Sequence, residues 1–369
     1  MNGDVVEKLV RVMEQSDLDA LVLMSPENFA YVTGFVVPSQ PLLRWRHAIA
    51  VVTRDGRSAL LSVDMEATTV REREPDQDVW VWAEFDHNCM PVLADLLVHL
   101  DLGSAQVGIE TAYFPVGDAD DLRKILPDVR WRSADRLLDL VRMIKTPREV
   151  EILRRVSRIT DSAIAEAFDS VKLGNTEMDL AAAVTGGLYR LGAEQFKLLI
   201  VATGERSRLP NVGPTDRSLQ AGDLIRLEVF GVVDGYHAGV CRTGVVQEAS
   251  DEALRIWRNL VECRDLLSES IRPGASSSEV YRGFLKKFAE IGYDPISFVG
   301  HGIGLFLHEE PYLGRVGEWV LEEGMILGVE PLVYGPDFGI QMKDVVAVTP
   351  DGAQRLSDVT NTDELLVVP

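Results

Sequence analysis

One short run, MIKTPREVEILRRVSRIT at 143–160, constrains the fold more than any other, because it marks a long helix and a boundary together. Thr146 followed by Glu149 is the reciprocal capping-box pattern, and Pro147 sits at the favoured first helical position. Val150, Leu153, Val156 and Ile159 then recur at helical spacing. A new helix starts here, and with it a new domain. At 369 residues one continuous core is not expected, so the predicted division is 1–143 and 144–369.

Before the boundary, helical and strand signals alternate. An amphipathic start leads to ALVLMSP, then to HAIAVVTRDGRSALLSV with its Arg54-Asp55-Gly56 turn, then to helical PVLADLLVHLDL and to QVGIE. Such alternation with short turns predicts a small α/β domain whose core is the Val, Ile and Leu runs. Beyond the boundary helix two further helical segments, EMDLAAAVTGGLYRLG and EALRIWRNLVECRDLLSESI, each precede β-rich stretches with Gly and Pro turns. Two helix-then-hairpin blocks of this kind are compatible with a distant duplication.

The count of 37 basic against 58 acidic residues gives a net charge of −21, which opposes binding to nucleic acid or anionic membrane through bulk electrostatics. Small polar or cationic substrates fit better. Cys89, Cys241 and Cys263 lack CxxC spacing, and an odd number cannot close a disulfide framework, so a reducing cytoplasm is the expected compartment. No segment approaches the roughly 20 uncharged apolar residues that a membrane helix needs, and the charged, amphipathic N-terminus is unlike a leader.

The chemistry is concentrated in the second half. In RLEVFGVVDGYHAGVCRTG, Glu228 and Gly239 stand eleven residues apart on either side of the turn Val233-Asp234-Gly235-Tyr236, the layout of two hairpin strands presenting side chains to one pocket. His301 and His308 share the phrase GHGIGLFLHEEP, where Gly300, Gly302 and Gly304 let the backbone bend and bring both imidazoles towards one cavity. Glu330 in EEGMILGVEPLVY, and Lys343 with Asp344 in GIQMKDVVAV, are charges inside apolar, strand-like runs, where each needs a partner or a task.

Taken in order, these phrases resemble the creatinase, aminopeptidase P and prolidase family. The likeness runs from SPENFAYVTGF through MIKTPREVEILRRV, PTDRSLQAGDLIRLEVFG, DGYHAGVCRT, GHGIGLFLHEEP and EEGMILGVEP to IQMKDVVAVTPDG, nearly the whole chain. It implies an α/β (α+β) chain with a small N-terminal α/β creatinase-type domain followed by a C-terminal pita-bread catalytic domain. In metal-dependent members two ions are held by an Asp on each arm of the hairpin, one His and two Glu. Those places are Glu228, Gly239, His301, Glu330 and Lys343 in this sequence.

Gly239 offers no donor, and Lys343 is a cation where a carboxylate would bridge the ions, so the resemblance implies a ligand-depleted member with no metal cofactor. Creatinase sets the precedent for hydrolysis without metal. The expected activity is therefore that of a metal-independent hydrolase or lyase cleaving a C–N bond of a small amino-acid-like, amidine or guanidino substrate. His301 or His308 would move protons, Glu228 and Glu330 would bind a cationic group or orient water, and Lys343 would supply positive charge. Asn211 stands where many relatives place a histidine, Cys241 where creatinase has a substrate-binding glutamate, and His237 joins them as a substrate-binding candidate on the hairpin.

Relatives are commonly homodimers in which one N-terminal domain closes over the partner's site. That places Arg44, Trp45, Arg46 and His47 as candidates for a lid, with Trp45 and Arg46 as substrate contacts. Two other functions stay open: a metal-dependent Xaa-Pro aminopeptidase or prolidase-type peptidase, and a catalytically inactive pita-bread binding protein.

Overall fold

The computed structural model describes residues 1–85 and 88–369, which divide into two compact units, Met1–Arg142 and Met143–Pro369.

In the first unit the elements run α1 (Gly3–Glu14), β1 (Ala20–Leu23), α2 (Pro26–Thr33), β2 (Ile49–Thr53), β3 (Ser58–Val63), α3 (Ala67–Arg73), β4 (Asp78–Trp82), α4 (Met90–His99), β5 (Gln106–Ile109), α5 (Val116–Ile125), β6 (Arg130–Ser133) and α6 (Asp135–Met143). The strands form one mixed sheet in the order β4-β3-β2-β1-β5-β6. The β2 and β3 strands pair antiparallel across the Arg54-Asp55-Gly56 turn, with Val52 opposite Ser58. Every residue of β1 and β2 is buried, so these strands read as unbroken apolar runs rather than alternating ones. Leu93 and Leu97 of α4 and Leu122 of α5 pack in the same core as Val22, Val51 and Leu61.

The capping box read from the sequence forms near the start of the second unit. The Thr146 amide donates to the Glu149 carboxylate at 2.8 Å and the Glu149 amide donates to the Thr146 hydroxyl at 3.3 Å, which satisfies two orphan donors at the start of α7 (Pro147–Ser170). Leu153 and Val156 of that helix are fully buried. Then follow α8 (Glu177–Leu191), β7 (Gln195–Thr203), β8 (Leu224–Val233), β9 (Tyr236–Val246), α9 (Asp251–Ser270), α10 (Ser277–Glu290), β10 (Phe298–Gly302), β11 (Glu309–Gly314), β12 (Ile326–Val329), β13 (Leu332–Tyr334), β14 (Gly339–Gln341), β15 (Asp344–Thr349), β16 (Gly352–Arg355) and β17 (Leu366–Val368).

Two helix pairs, each followed by antiparallel strands, make up the unit: α7 and α8 precede a sheet ordered β17-β9-β8-β7, and α9 and α10 precede one ordered β11-β10-β12-β15-β16. The α10 helix was not anticipated from the sequence. Its signal is there, since Ser276 caps the Glu279 amide and Val280, Phe284 and Phe288 recur every four residues and are buried. The two sheets meet where Cys241 and Lys343 exchange backbone hydrogen bonds of 3.2 and 3.1 Å. Next to that bridge Arg242, fully buried, donates to Asp161 of α7 at 3.0 Å and to Asp344 at 2.8 Å. A buried guanidinium with both carboxylates in place is satisfied, and removal of either partner would strand it. Among the described residues no helix is long and apolar enough to cross a membrane.

Candidate functional site

The β8–β9 hairpin turns through Asp234 and Gly235, both at positive φ (51° and 82°), the two-residue turn that Asp-Gly favours. Its register puts Glu228 opposite Cys241 and Phe230 opposite Gly239. Directly opposed residues share a face of the sheet, so Glu228, Phe230, Gly239 and Cys241 look into one space. Glycine at 239 is required by its neighbour: a Cβ there would lie 2.3 Å from a ring carbon of Phe230. The emptied position is therefore filled by an aromatic ring from the facing strand.

Lys343 crosses from the other sheet into this space. Its ammonium lies 3.2 Å from Glu228 Oε1, 3.1 Å from Glu330 Oε2 and 4.7 Å from the Phe230 ring centroid, an ion pair on two sides and a cation–π contact on the third. Gln341 donates to Glu228 and to Glu330, each at 3.2 Å, and its own carbonyl accepts from Arg226 at 2.9 Å. Burial opposes ionisation of Glu330, but the Lys343 charge and His301 outweigh it and hold the carboxyl at about 2. Burial likewise works against the Lys343 ammonium, and Glu330 and Glu228 reverse it, so the lysine titrates above its ordinary value.

The two histidines come together through a hairpin, neither along one strand nor along a helix. His301 is the penultimate residue of β10, the chain turns through 303–308, and β11 returns beside it, so that the two imidazoles stack with centroids 3.6 Å apart and planes 8° from parallel. Gly302 permits the close return, because a Cβ there would sit 2.2 Å from the Glu310 carbonyl oxygen. Glu309 fixes the turn. Its carboxylate accepts from the amides of Leu305 and Phe306 at 3.0 and 3.2 Å and pairs with Lys145 at 2.9 Å.

His301 is fully buried, and its Nδ1 lies 2.8 Å from the Gly302 carbonyl oxygen. Its Nε2 lies 3.3 Å from Glu330 Oε1, yet neither atom has a hydrogen-bond partner. His308 is more exposed and its Nδ1 is 3.3 Å from the Tyr312 hydroxyl. Burial, His301 and Lys343 lower its pKa to about 4, so it is neutral at neutral pH. Tyr312 is raised, by burial first and then by Glu310 and Glu330.

Glu228, His301, His308, Glu330 and Lys343 thus form one cluster in the second unit. Cys241 is fully buried beside it, its Sγ 3.9 Å from the Gln341 carbonyl oxygen and its thiol pushed well up by burial, which removes it as a nucleophile. His237 sits on the same hairpin face, buried, with Nδ1 3.2 Å from the Gly304 carbonyl oxygen, and burial lowers it to about 4. Asn211 is exposed in the loop between β7 and β8. Trp45 and Arg46 belong to the first unit, where both donate to Glu84, at 2.9 and 2.8 Å. Asp344 serves Arg242. Sequence reasoning missed Phe230, Gln341 and Tyr312. For Phe230 the signal was available, since an aromatic directly opposite a lone glycine in a hairpin is a space-filling pair.

A two-ion centre does not fit this donor set. Gly239 brings no ligand, the Phe230 ring occupies the space a ligand would need, and an ammonium stands between the two carboxylates. Even so, donor atoms of His301, His308 and Glu330 all lie within 4.8 Å of one another.

Residues 151–350 match the model of metallopeptidase family M24, and residues 6–144 match the creatinase/prolidase N-terminal domain. The chain belongs to family M24. A Xaa-Pro dipeptidase from Pyrococcus horikoshii is 27% identical over 99% of both chains. Among solved structures, a dipeptidase from the same organism superposes with a TM-score of 0.86 at 25% identity, covering 99% of this chain and 100% of that one. The prolidase from Pyrococcus furiosus gives 0.80 at 26%, covering 95% and 100%. The M24 catalytic fold of the second unit is accordingly the pita-bread fold, and the first unit is a creatinase-type N-terminal domain.

These matches correct two expectations. Metal-independent, creatinase-like hydrolysis or elimination gives way to the peptidase alternative, because the family is one of metallopeptidases and the relatives are Xaa-Pro dipeptidases. The expectation of no divalent cofactor falls with it. That expectation rested on the missing donors at Gly239 and Lys343, which bear on a pair of ions and leave the donor atoms of His301, His308 and Glu330 in place.

Proposed function

We propose that this chain is a dipeptidase of the Xaa-Pro class, a hydrolase of the C–N bond ahead of a C-terminal proline, assembled as a homodimer and working with a divalent ion. The observation that carries it is the cluster of His301, His308 and Glu330, whose donor atoms lie within 4.8 Å of one another in a family M24 chain.

Each residue of the cluster has a part in that reaction. Lys343 and Gln341 fix the Glu228 and Glu330 carboxylates in direction, so that no reorganisation is needed when charge develops nearby. Tyr312 stays protonated at neutral pH and its hydroxyl lies 3.3 Å from His308 Nδ1, placed to serve the developing oxyanion or the leaving nitrogen. Phe230 and the surrounding apolar strands keep the ion pairs dry.

The test is proline release. Purified protein supplied with Mn2+, Co2+ or Zn2+ is incubated with Xaa-Pro dipeptides and with the same residues in reversed order. Turnover of the Xaa-Pro set alone is expected, together with a dimer in sedimentation. Absence of cleavage with all three ions would reject the assignment.

A further inference from the structure

We propose that Arg226 is a positioning residue of this site: it sets the direction of the Gln341 amide and thereby ties the loop 204–212 to the Glu228 and Glu330 carboxylates. The kinetic consequence rests on the dipeptidase reading, whereas the tie itself is measured without turnover.

A buried guanidinium needs an anion or a full set of acceptors. Arg226 of β8 is fully buried, and among the described residues no carboxylate pairs with it. Its donors go to neutral oxygens instead. Nε donates to the Ser207 carbonyl at 3.0 Å, Nη2 to the Pro210 carbonyl at 2.9 Å and to that of Leu209, and Nη1 to the Gln341 side-chain oxygen at 2.9 Å. The Tyr334 ring covers the guanidinium at 5.6 Å. One planar fork thus holds a loop and a side chain together, which the compact ammonium of a lysine does not match.

Gln341 has one consistent direction. Its Oε1 accepts from the cation, and its Nε2 donates to Glu228 and Glu330 at 3.2 Å each. Turned over, the amide would present N–H groups to the guanidinium and its oxygen to two carboxylates, so both ends would repel. Arg226 therefore fixes the donor that the two carboxylates share, and polarises it along the chain of hydrogen bonds.

The same side chain fixes the loop. A short 3-10 turn, Gly204–Arg208, follows β7, and the Val201 amide donates to the Val212 carbonyl at 3.3 Å, so the segment returns to the strand it left. The Ser207 hydroxyl accepts from the Gly339 amide at 2.8 Å. Gly339 and Gln341 lie two apart on β14 and share a face. A Cβ at 339 would sit 2.2 Å from the Ser207 carbonyl oxygen, the atom that Arg226 Nε holds, so the glycine gives the loop room to pack on the strand. A shift of the loop accordingly pulls on the donor shared by Glu228 and Glu330.

The experiment is a double-mutant cycle on the full chain with Arg226→Lys and Gln341→Met, each variant checked for folding by thermal unfolding; Arg226→Gln enters the cycle in place of a lysine variant that does not fold. Trypsin cleavage after the exposed Arg208 reads the loop. Arg226→Lys should raise its rate about tenfold or more, and Gln341→Met, which leaves the carbonyl contacts in place, by less than about threefold. Each single variant should lower kcat on a Xaa-Pro dipeptide about tenfold or more with KM within about threefold, because misplaced groups cost rate more than binding. The double variant should have a kcat within about threefold of Gln341→Met alone, since the amide is the path by which Arg226 acts. Unchanged cleavage in Arg226→Lys, or kcat losses that multiply in the double variant, would overturn the proposal. A wild type that releases no proline would remove the dipeptidase assignment instead; cleavage rates then decide the loop contact, and unfolding midpoints of the same four proteins decide the coupling of Arg226 to Gln341.

Discussion

Replacement of Lys343 by Met keeps the aliphatic stem and removes the ammonium. Glu228 and Glu330, both buried, are then left with Gln341 as their shared donor. Breaking a buried ion pair by removing one partner costs about 3–5 kcal/mol, and here one ammonium serves two carboxylates at 3.2 and 3.1 Å, which places the loss at the upper end. The cation–π contact to Phe230, at 4.7 Å, is lost as well. For a unit of this size each kcal/mol moves the melting temperature by about 2–4 °C, so a drop of about 10 °C or more is expected. The assay is thermal and urea unfolding of chelated protein at pH 7.5. Adding Glu228→Gln to Lys343→Met should recover a substantial part of the loss, because one buried charge then remains where two faced each other. A single variant within about 1 kcal/mol of wild type, or a double variant no better than the single, would refute the view that Lys343 neutralises this cluster.

Gly239→Asp alone should destabilise the second unit, because its Cβ would sit 2.3 Å from the Phe230 ring, and Phe230→Gly in the same chain should relieve it; unfolding midpoints check both. His237 is held near 4 by burial, below its ordinary 6.5, so it folds neutral and the unfolded chain takes up the extra proton as pH falls. Its contribution is present above 6.5 and lost as pH falls through about 4, a change of about 3 kcal/mol at most. His237→Asn should flatten the pH dependence of stability in that window, read from urea midpoints, and an unchanged slope would count against burial as the cause. Tyr312→Phe should lower kcat on a Xaa-Pro dipeptide at least tenfold with little change in KM if its hydroxyl serves the transition state.

Most of the frame was legible in the sequence, because local chemistry dictated it. The Thr146 to Glu149 capping box, the Asp234-Gly235 turn and the glycines around His301 each admit few backbone paths. The cluster members Glu228, His301, His308, Glu330 and Lys343 were legible for a related reason, as charges and imidazoles inside apolar runs need partners. Harder to read was how those partners are arranged. That Phe230 fills the space over Gly239, and that Gln341 bridges both carboxylates, depends on cross-strand register and on a contact between two sheets more than a hundred residues apart in sequence. The wrong inference about metal came from the same gap. Ligand counting from aligned positions registered what Gly239 and Lys343 lacked, but the turn that brings His308 onto His301 lies outside such a count.

The corrected account stands or falls on metal dependence. Protein stripped with EDTA, assayed for proline release from a Xaa-Pro dipeptide and then reassayed as Zn2+, Co2+ or Mn2+ is added back, should be inactive when stripped and should regain turnover along a saturable curve. Stripped protein that turns over the dipeptide as fast as the reconstituted protein, with no bound ion left by elemental analysis, would contradict the account.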